Sequence, residues 1–167
     1  VCTGANPRKI GLDGEQTFAG KGVSYCATCD GAFFKNQELI VVGGGDSAME
    51  EAMFLTKFAS SVTIIHRRDK FRASKIMQDK AMKNDKIDVL WNSSIVEMLG
   101  EPDEGGLNSV KINNSITNET SIIPCDGLFL GIGHKPNSDI SIKMNMGSTE
   151  TAGSESDVFQ IGIGYMF

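Results

Sequence analysis

The sequence predicts an α/β fold in which a parallel sheet carries helices and an antiparallel β-meander follows it. Three observations lead there. Glu38 to Val42 reads as a buried strand that runs straight into Gly43-Gly44-Gly45-Asp46-Ser47-Ala48, a G-x-G-x-x-A turn of the kind that joins a strand to a helix. Ala48 to Phe58 then repeats apolar residues at helical spacing, and Val62-Thr63-Ile64-Ile65 supplies a β-branched second strand, so residues 38 to 65 make a βαβ unit. After Ser94 the pattern changes to short strands at Ile95 to Leu99, Leu107 to Ile112 and Ser121 to Ile123, separated by Gly, Asn and Asp turns.

In chain order, Val1-Cys2-Thr3-Gly4-Ala5 looks like the end of a strand whose beginning is missing, so the chain is expected to be a fragment. The Gly-rich polar stretch from Gly11 to Gly22 reads as a connector at a domain crossing rather than core structure. In the helix after the glycine turn, Ala48, Met49, Ala52, Met53, Leu55 and Phe58 are expected to face the core, and Asp46 or Ser47 can cap the first turn. Ser74 to Asn84 reads as a second helix with Ile76, Met77 and Met82 inward, and Ile87 to Trp91 as a third parallel strand. There is no internal repeat and no low-complexity tract.

With 167 residues, 40% of them hydrophobic and 22% charged, the chain has the composition of a globular protein able to bury a core. Four cysteines are too few for a disulfide-rich secreted scaffold, and no apolar run is long enough to span a bilayer, so a reducing cytoplasmic setting without membrane partners is the default expectation. The net charge of -5 argues against nucleic acid as a partner, because phosphate backbones are bound by positive surfaces.

Cys26-Ala27-Thr28-Cys29-Asp30 places two thiols where their sulfurs can close a small ring and reopen it. A thiolate at one end is the nucleophile of thiol-disulfide exchange, and its neighbour can resolve the mixed disulfide that forms. Two other readings stay open: half of a zinc site, which lacks a second Cys or His pair at comparable spacing, and a structural disulfide, whose tiny loop constrains the unfolded chain little. Cys2, Cys125, His66 and His134 stand singly, so no metal is expected, and the two lone cysteines read as small buried hydrophobes.

In the glycine turn, Gly43 permits the tight bend, Gly45 lets a pyrophosphate approach the backbone, and Ala48 keeps the helix close to the strand, while Gly44, Asp46 and Ser47 complete the turn at the helix N-terminus. An NAD enzyme would place an acid at the end of the second strand. This chain has His66-Arg67-Arg68-Asp69-Lys70-Phe71-Arg72 there. Guanidinium groups bind phosphate bidentately, so Arg67, Arg68 and Arg72 predict the 2′-phosphate of NADPH, with His66 touching the ribose phosphate; the alternative is a solvated charged loop. A dithiol beside a dinucleotide site suggests electron transfer between them.

Read together, these segments resemble the low-molecular-weight thioredoxin reductases of bacteria and plants, flavoproteins of the pyridine nucleotide-disulfide oxidoreductase superfamily. Gly22-Val23-Ser24-Tyr25-Cys26-Ala27-Thr28-Cys29-Asp30-Gly31 is similar to the family's redox segment. Gly43 to Ala52, and His66-Arg67-Arg68-Asp69 with Phe71-Arg72-Ala73-Ser74, are similar to its NADPH-binding segments. Gly131-Ile132-Gly133-His134-Lys135-Pro136-Asn137 is similar to the stretch that returns the chain to the FAD domain, with Ile132 a further cofactor-binding candidate. The resemblance implies a Rossmann-like three-layer NADPH-binding and redox-disulfide domain over residues 11–130, with remnants of an FAD-binding domain at 1–10 and 131–167. It also implies a homodimer in which NADPH reduces FAD, the flavin reduces the Cys26–Cys29 disulfide, and the dithiol reduces thioredoxin. Cys29 would face the flavin, Cys26 would attack thioredoxin, and Asp30 would exchange protons with the thiols. Residues 11–22 and 128–137 would be the hinges of a rotating domain.

The resemblance has limits. The resemblance leads one to expect the family's N-terminal FAD glycine motif to be missing from this fragment, and Ile163 stands where the family has the aspartate that holds the flavin ribityl chain, which an apolar side chain cannot do. Residues 138–157 also drift from the family pattern. Two alternatives to a thioredoxin reductase fragment therefore stand: an NADPH-binding module without turnover, and a related flavoprotein reductase acting on a peroxiredoxin.

Overall fold

The computed structural model describes residues 4–137 with their side chains, and residues 140–151 and 154–165 by backbone alone. In chain order the elements are β1 (Ala5–Pro7), α1 (Asp13–Thr17), β2 (Val23–Ser24), α2 (Ala27–Asp30) running into a 3-10 turn (Gly31–Phe33), β3 (Glu38–Gly43), α3 (Asp46–Leu55), β4 (Ser61–Ile65), α4 (Lys75–Met82), β5 (Ile87–Leu90), β6 (Ser93–Glu101), β7 (Gly106–Asn114), β8 (Thr120–Pro124), β9 (Gly127–Gly131), β10 (His134–Pro136), β11 (Ile140–Thr151) and β12 (Ser154–Tyr165). The chain divides into two compact units, Pro7–His134 and a smaller one made of Val1–Asn6 with Lys135–Phe167.

The larger unit has three layers. Its centre is a five-stranded sheet of order β2-β9-β3-β4-β5, with each neighbouring pair parallel. Along these strands alternate side chains face opposite layers, as strand geometry requires. Leu39, Val41, Val62, Ile64 and Phe129 join Ala48, Met49, Ala52 and Leu55 of α3 in one core. Ile40, Ile65, Leu128 and Leu130 join Ile95, Met98, Leu107, Val110 and Ile112 of the antiparallel sheet β6-β7-β8 in the other. Both faces of the parallel strands are thus buried, which is why they read as continuous apolar runs.

Helix α3 is ten residues long, and the turn after it is tied to β5's entry: the Lys86 ammonium donates to the carbonyls of the C-cap Thr56 (3.1 Å) and of Ala59 (2.8 Å). Its N-cap is Gly45, which makes no side-chain bond. The expectation that Asp46 or Ser47 caps this helix is therefore corrected. Asp46 Oδ1 instead accepts the Ser74 N–H at 2.7 Å, reaching across to the residue that begins α4.

Other expectations are corrected as well. On α4 only Ala81 is fully buried and Met77 is half-buried, whereas Ile76 and Met82 are exposed. The helix packs mainly against α3, so the rest of its apolar stripe finds no cover. The stretch from Gly11 to Gly22 contains α1, whose Glu15 is buried, and Phe18 just beyond it sits in the core. Residues 127–131, expected partly as a hinge, form β9, buried throughout and inserted between β2 and β3. In the smaller unit β11 pairs antiparallel with β12, Ile140 opposite Tyr165 through Thr151 opposite Ser154. Val1 to Thr3, including Cys2, and the side chain of Ile163 lie outside the described residues.

Candidate functional site

The redox turn grows from the edge strand β2. Ser24, opposite Phe129 of β9, is only 4% exposed, and its hydroxyl oxygen accepts the Cys26 N–H at 3.1 Å, a serine turn closed two residues on. Cys26 leaves the strand in an extended conformation and becomes the N-cap of α2, whose Cys29 N–H is aimed at Cys26 Sγ (3.2 Å). Cys26 and Cys29 are joined as a disulfide. Thr28 Oγ1 lies 3.4 Å from Cys26 Sγ, and Asp30 Oδ2 accepts the Ser24 hydroxyl at 2.6 Å. When the bond opens, a thiolate on Cys26 has one amide donor and one hydroxyl in place to stabilise it. Cys29 is the more exposed of the pair.

The glycine turn lies at the C-terminal ends of β3 and β9, on either side of which the sheet order reverses, the crevice where open α/β sheets bind ligands. Gly43 has φ +155, and a Cβ there would strike the Gly131 carbonyl and Ala48. Ala48 is itself pressed to Gly131, where an added Cβ would lie 3.0 Å from Ala48 Cα. These contacts close the α3–β3–β9 crossing and explain the small residues. At Gly45, by contrast, a Cβ meets nothing within 4 Å. The open backbone there, with the unpaired first N–H groups of α3 beside it, fits a pyrophosphate. Asp46 and Ser47 are exposed at the same edge.

The loop after β4 is fastened to this turn. The Gly44 carbonyl accepts the N–H groups of Arg72 (2.7 Å) and Ala73 (3.0 Å), and Asp46 holds Ser74. Arg67, Arg68 and Arg72 are exposed, and none of the ion pairs among the described residues involves them. His66 lies beneath the loop, 6% exposed, with Nε2 3.0 Å from the Lys70 carbonyl and its ring against Phe71 and Trp91. A Cβ on Gly44 would collide with that imidazole. His66 thus supports the arginine loop from within. Ile132 is half-buried and packs on the core that faces the antiparallel sheet.

The two centres share helix α3. Gly31, at the end of α2, is so close to it that a Cβ would stand 2.9 Å from Leu55 and 3.6 Å from Phe54 and Phe58. Ala27, between the cysteines, lies in one core with Ala48 and Met49 of α3.

Several residues of this region escaped the sequence reading. Ser24 is one, although a serine two residues before a cysteine at a strand end signals a serine turn. Glu51 on α3 is another: its Oε2 is buried without a hydrogen-bond partner beside Gly131, and burial, then the Glu50 charge, raises its pKa to about 7. Glu15 accepts the Tyr25 hydroxyl and the Gly11 N–H, both at 2.8 Å, tying α1 to the residue before Cys26. Burial, then that bond, pushes the Tyr25 phenol to about 12. Phe33, three residues beyond Asp30, is 81% exposed. Buried Cys125 is pushed up to about 12 by burial and by Asp126 and Glu38, which leaves it an inert thiol.

Residues 1–158 match the model of the pyridine nucleotide-disulphide oxidoreductase family. The thioredoxin reductase of Rickettsia conorii is 53% identical over 140 residues, which cover 84% of this chain and 45% of that protein. The thioredoxin reductase of Listeria monocytogenes is 48% identical over 153 residues, covering 92% of this chain and 47% of the relative. Among solved structures, the Lactococcus lactis thioredoxin reductase aligns with a TM-score of 0.76 at 49% identity, covering 80% of this chain and 43% of that one. The chain therefore spans about half the length of the relatives it matches. With the disulfide turn and the glycine turn folded on one helix, and the family match running through both, the chain belongs to the pyridine nucleotide-disulphide oxidoreductase family.

Proposed function

We propose that this chain is the NADPH-binding and redox-disulfide half of a thioredoxin-disulfide reductase, a cytoplasmic enzyme that is a homodimer at full length. The observation that carries the reading is the packing of Gly31 and Ala27 on α3, which sets a reducible disulfide and a dinucleotide turn on one rigid element. The relatives named above are thioredoxin reductases, which favours thioredoxin over a peroxiredoxin as the partner.

In this reading Gly45 and the start of α3 hold the pyrophosphate of NADPH, and Arg67, Arg68 and Arg72 hold its 2′-phosphate. FAD, when bound by the complete protein, supplies the electron-accepting ring that lets a hydride donor reduce a disulfide. Cys26, whose sulfur has the Cys29 N–H and the Thr28 hydroxyl beside it, attacks the thioredoxin disulfide, Cys29 resolves the mixed disulfide, and Asp30 takes and returns the thiol proton. Exposed Phe33, close in sequence to the disulfide, offers thioredoxin an apolar contact.

Incubation of the purified chain with FAD, removal of free flavin, and anaerobic addition of NADPH and oxidised thioredoxin tests the proposal. A flavin band that bleaches as thioredoxin thiols appear would mean that one chain holds the whole path. No flavin band, with NADPH bound and the chemically reduced chain still passing electrons to thioredoxin, is the outcome expected of half an enzyme. Failure of both NADPH binding and thiol exchange would overturn the reading. The alternative of a nucleotide-binding module, favoured only by the chain's spanning half of its relatives, would bind NADPH but leave thioredoxin oxidised.

A further inference from the structure

Ser24 belongs to none of the roles above, yet one hydroxyl of it joins three parts of the redox turn. It is fixed by the sheet, because Ser24 pairs with Phe129 of β9 and is 4% exposed. Its oxygen accepts the Cys26 N–H at 3.1 Å, and its proton goes to Asp30 Oδ2 at 2.6 Å. The other acceptor in reach, the Cys26 carbonyl, stands 3.5 Å away, so distance and charge both assign the proton to the carboxylate. Asp30 has no second partner of this kind among the described residues, and it sits at the end of a helix of one turn, which by itself would leave the side chain free to rotate.

We infer that Ser24 is the positioning residue of the dithiol's acid-base group: it clamps one oxygen of Asp30, leaves the other to exchange a proton with the thiols, and locks the carboxylate to the backbone of Cys26. This rests on the proposed role of Asp30. In the reaction concerned, the Cys26 thiolate attacks a disulfide sulfur of thioredoxin, that disulfide breaks, and the departing thiolate takes a proton from water. The Cys29 thiol then gives its proton to Asp30, and the Cys29 thiolate attacks Cys26 Sγ. The Cys26–Cys29 bond forms, the mixed disulfide breaks, and the second thioredoxin sulfur leaves as a thiolate and is protonated. Two electrons pass from the dithiol to thioredoxin. Ser24 changes none of these bonds; it decides whether the Asp30 oxygen is waiting when Cys29 must lose its proton.

The test needs no flavin. The 167-residue chain is reduced with excess dithiothreitol, desalted, and mixed with oxidised thioredoxin, and the single-turnover rate is read by maleimide labelling of quenched samples. Asp30→Asn is expected to slow the exchange by about 100-fold, in the range of a lost acid-base group. Ser24→Ala is expected to slow it by about 10-fold and Ser24→Thr, which keeps the hydroxyl, by less than about 3-fold, while NADPH affinity stays at the parent value. In the Asp30→Asn background Ser24→Ala is expected to add less than about 2-fold, since a residue acting through Asp30 has nothing left to act on. A parent rate in Ser24→Ala with a slow Asp30→Asn overturns the role of Ser24 and leaves that of Asp30, and so do effects that multiply in the double variant. A parent rate in Asp30→Asn removes the acid-base reading beneath. Should Ser24→Ala lose NADPH binding through misfolding, proton NMR on the parent decides. A slowly exchanging Ser24 hydroxyl proton that vanishes in Asp30→Asn is expected, and its absence from the parent overturns the inference.

Discussion

Arg67, Arg68 and Arg72 stand exposed on a loop whose backbone is pinned, at Arg72 and Ala73, to the carbonyl of Gly44 in the glycine turn. A 2′-phosphate held there, as proposed, would be met by a loop already fixed to the turn, so the loss on truncation would be a loss of charge-assisted bonds. Arg67→Ala and Arg72→Ala are each expected to weaken NADPH by about 10- to 150-fold and NADH by less than about 2-fold in equilibrium titration. Equal losses for both nucleotides would remove the 2′-phosphate assignment. Glu51 makes a different kind of prediction. Its folded-state pKa, about 7, lies above the usual carboxylate value, so between about 4.5 and 7 the unfolded chain has released a proton that the folded chain retains. Stability must fall as pH rises through that window and stay flat above it. Glu51→Gln removes the titration, and thermal melts should find the variant more stable than the parent by about 1 to 2 kcal/mol at pH 8, after allowance for the part of the carboxyl that water reaches, with no gain at pH 4.5. A gain that is equal at both pH values would mean that packing, not charge, is at work.

Among the elements, α3 carries the largest burden. Its N-terminus opens on the glycine turn, its Ala48 touches Gly131, and its Leu55 end receives α2. The arginine loop joins the same assembly through Gly44, beneath which lies the His66 ring. Gly44→Ala places a methyl group into that imidazole, and the ring cannot retreat because Phe71 and Trp91 back it. The expected cost is about 1 to 3 kcal/mol in denaturant unfolding, with NADPH affinity falling as the loop loses its seat. Unchanged unfolding would show that the loop is softer than its packing implies. The helices also show where sequence patterns mislead. Ile76, Met77 and Met82 on α4 fit an inward stripe by spacing, but a helix packed mainly against α3 buries Ala81 and leaves Ile76 and Met82 in water. Strand β9 errs the opposite way: Gly127-Leu128-Phe129-Leu130-Gly131 is bounded by glycines and adjoins a turn-rich stretch, yet it lies fully buried between β2 and β3.

For the whole molecule, both hydrophobic cores, the disulfide and the glycine turn belong to the unit Pro7–His134. A protein made of residues 7–134 alone is therefore expected to melt cooperatively and to bind NADPH within about 2-fold of the full chain, since its cores and charged loop are complete. A broad melt, or NADPH binding lost on trimming, would show that the smaller unit contributes to the site.

The βαβ unit, the G-x-G-x-x-A turn, the arginine run that follows β4 and the spacing of Cys26 and Cys29 were legible in the amino-acid order alone, because each is written in residues close along the chain and obeys a local rule of period, turn or reach. The meander was legible for the same reason. The rest came only with folding. It set β9 at the centre of the sheet, turned Asp46 from a helix cap into a clamp on Ser74, put His66 under the loop and not in front of it, and brought Ser24 to Asp30 across a helical turn. The place of β9 and the Asp46–Ser74 bond depend on segments distant in sequence meeting in space, while the His66 and Ser24 bonds join near neighbours whose side-chain directions are set only when the sheet and turn have folded; in either case a hydrogen bond exists only once its partner has been placed.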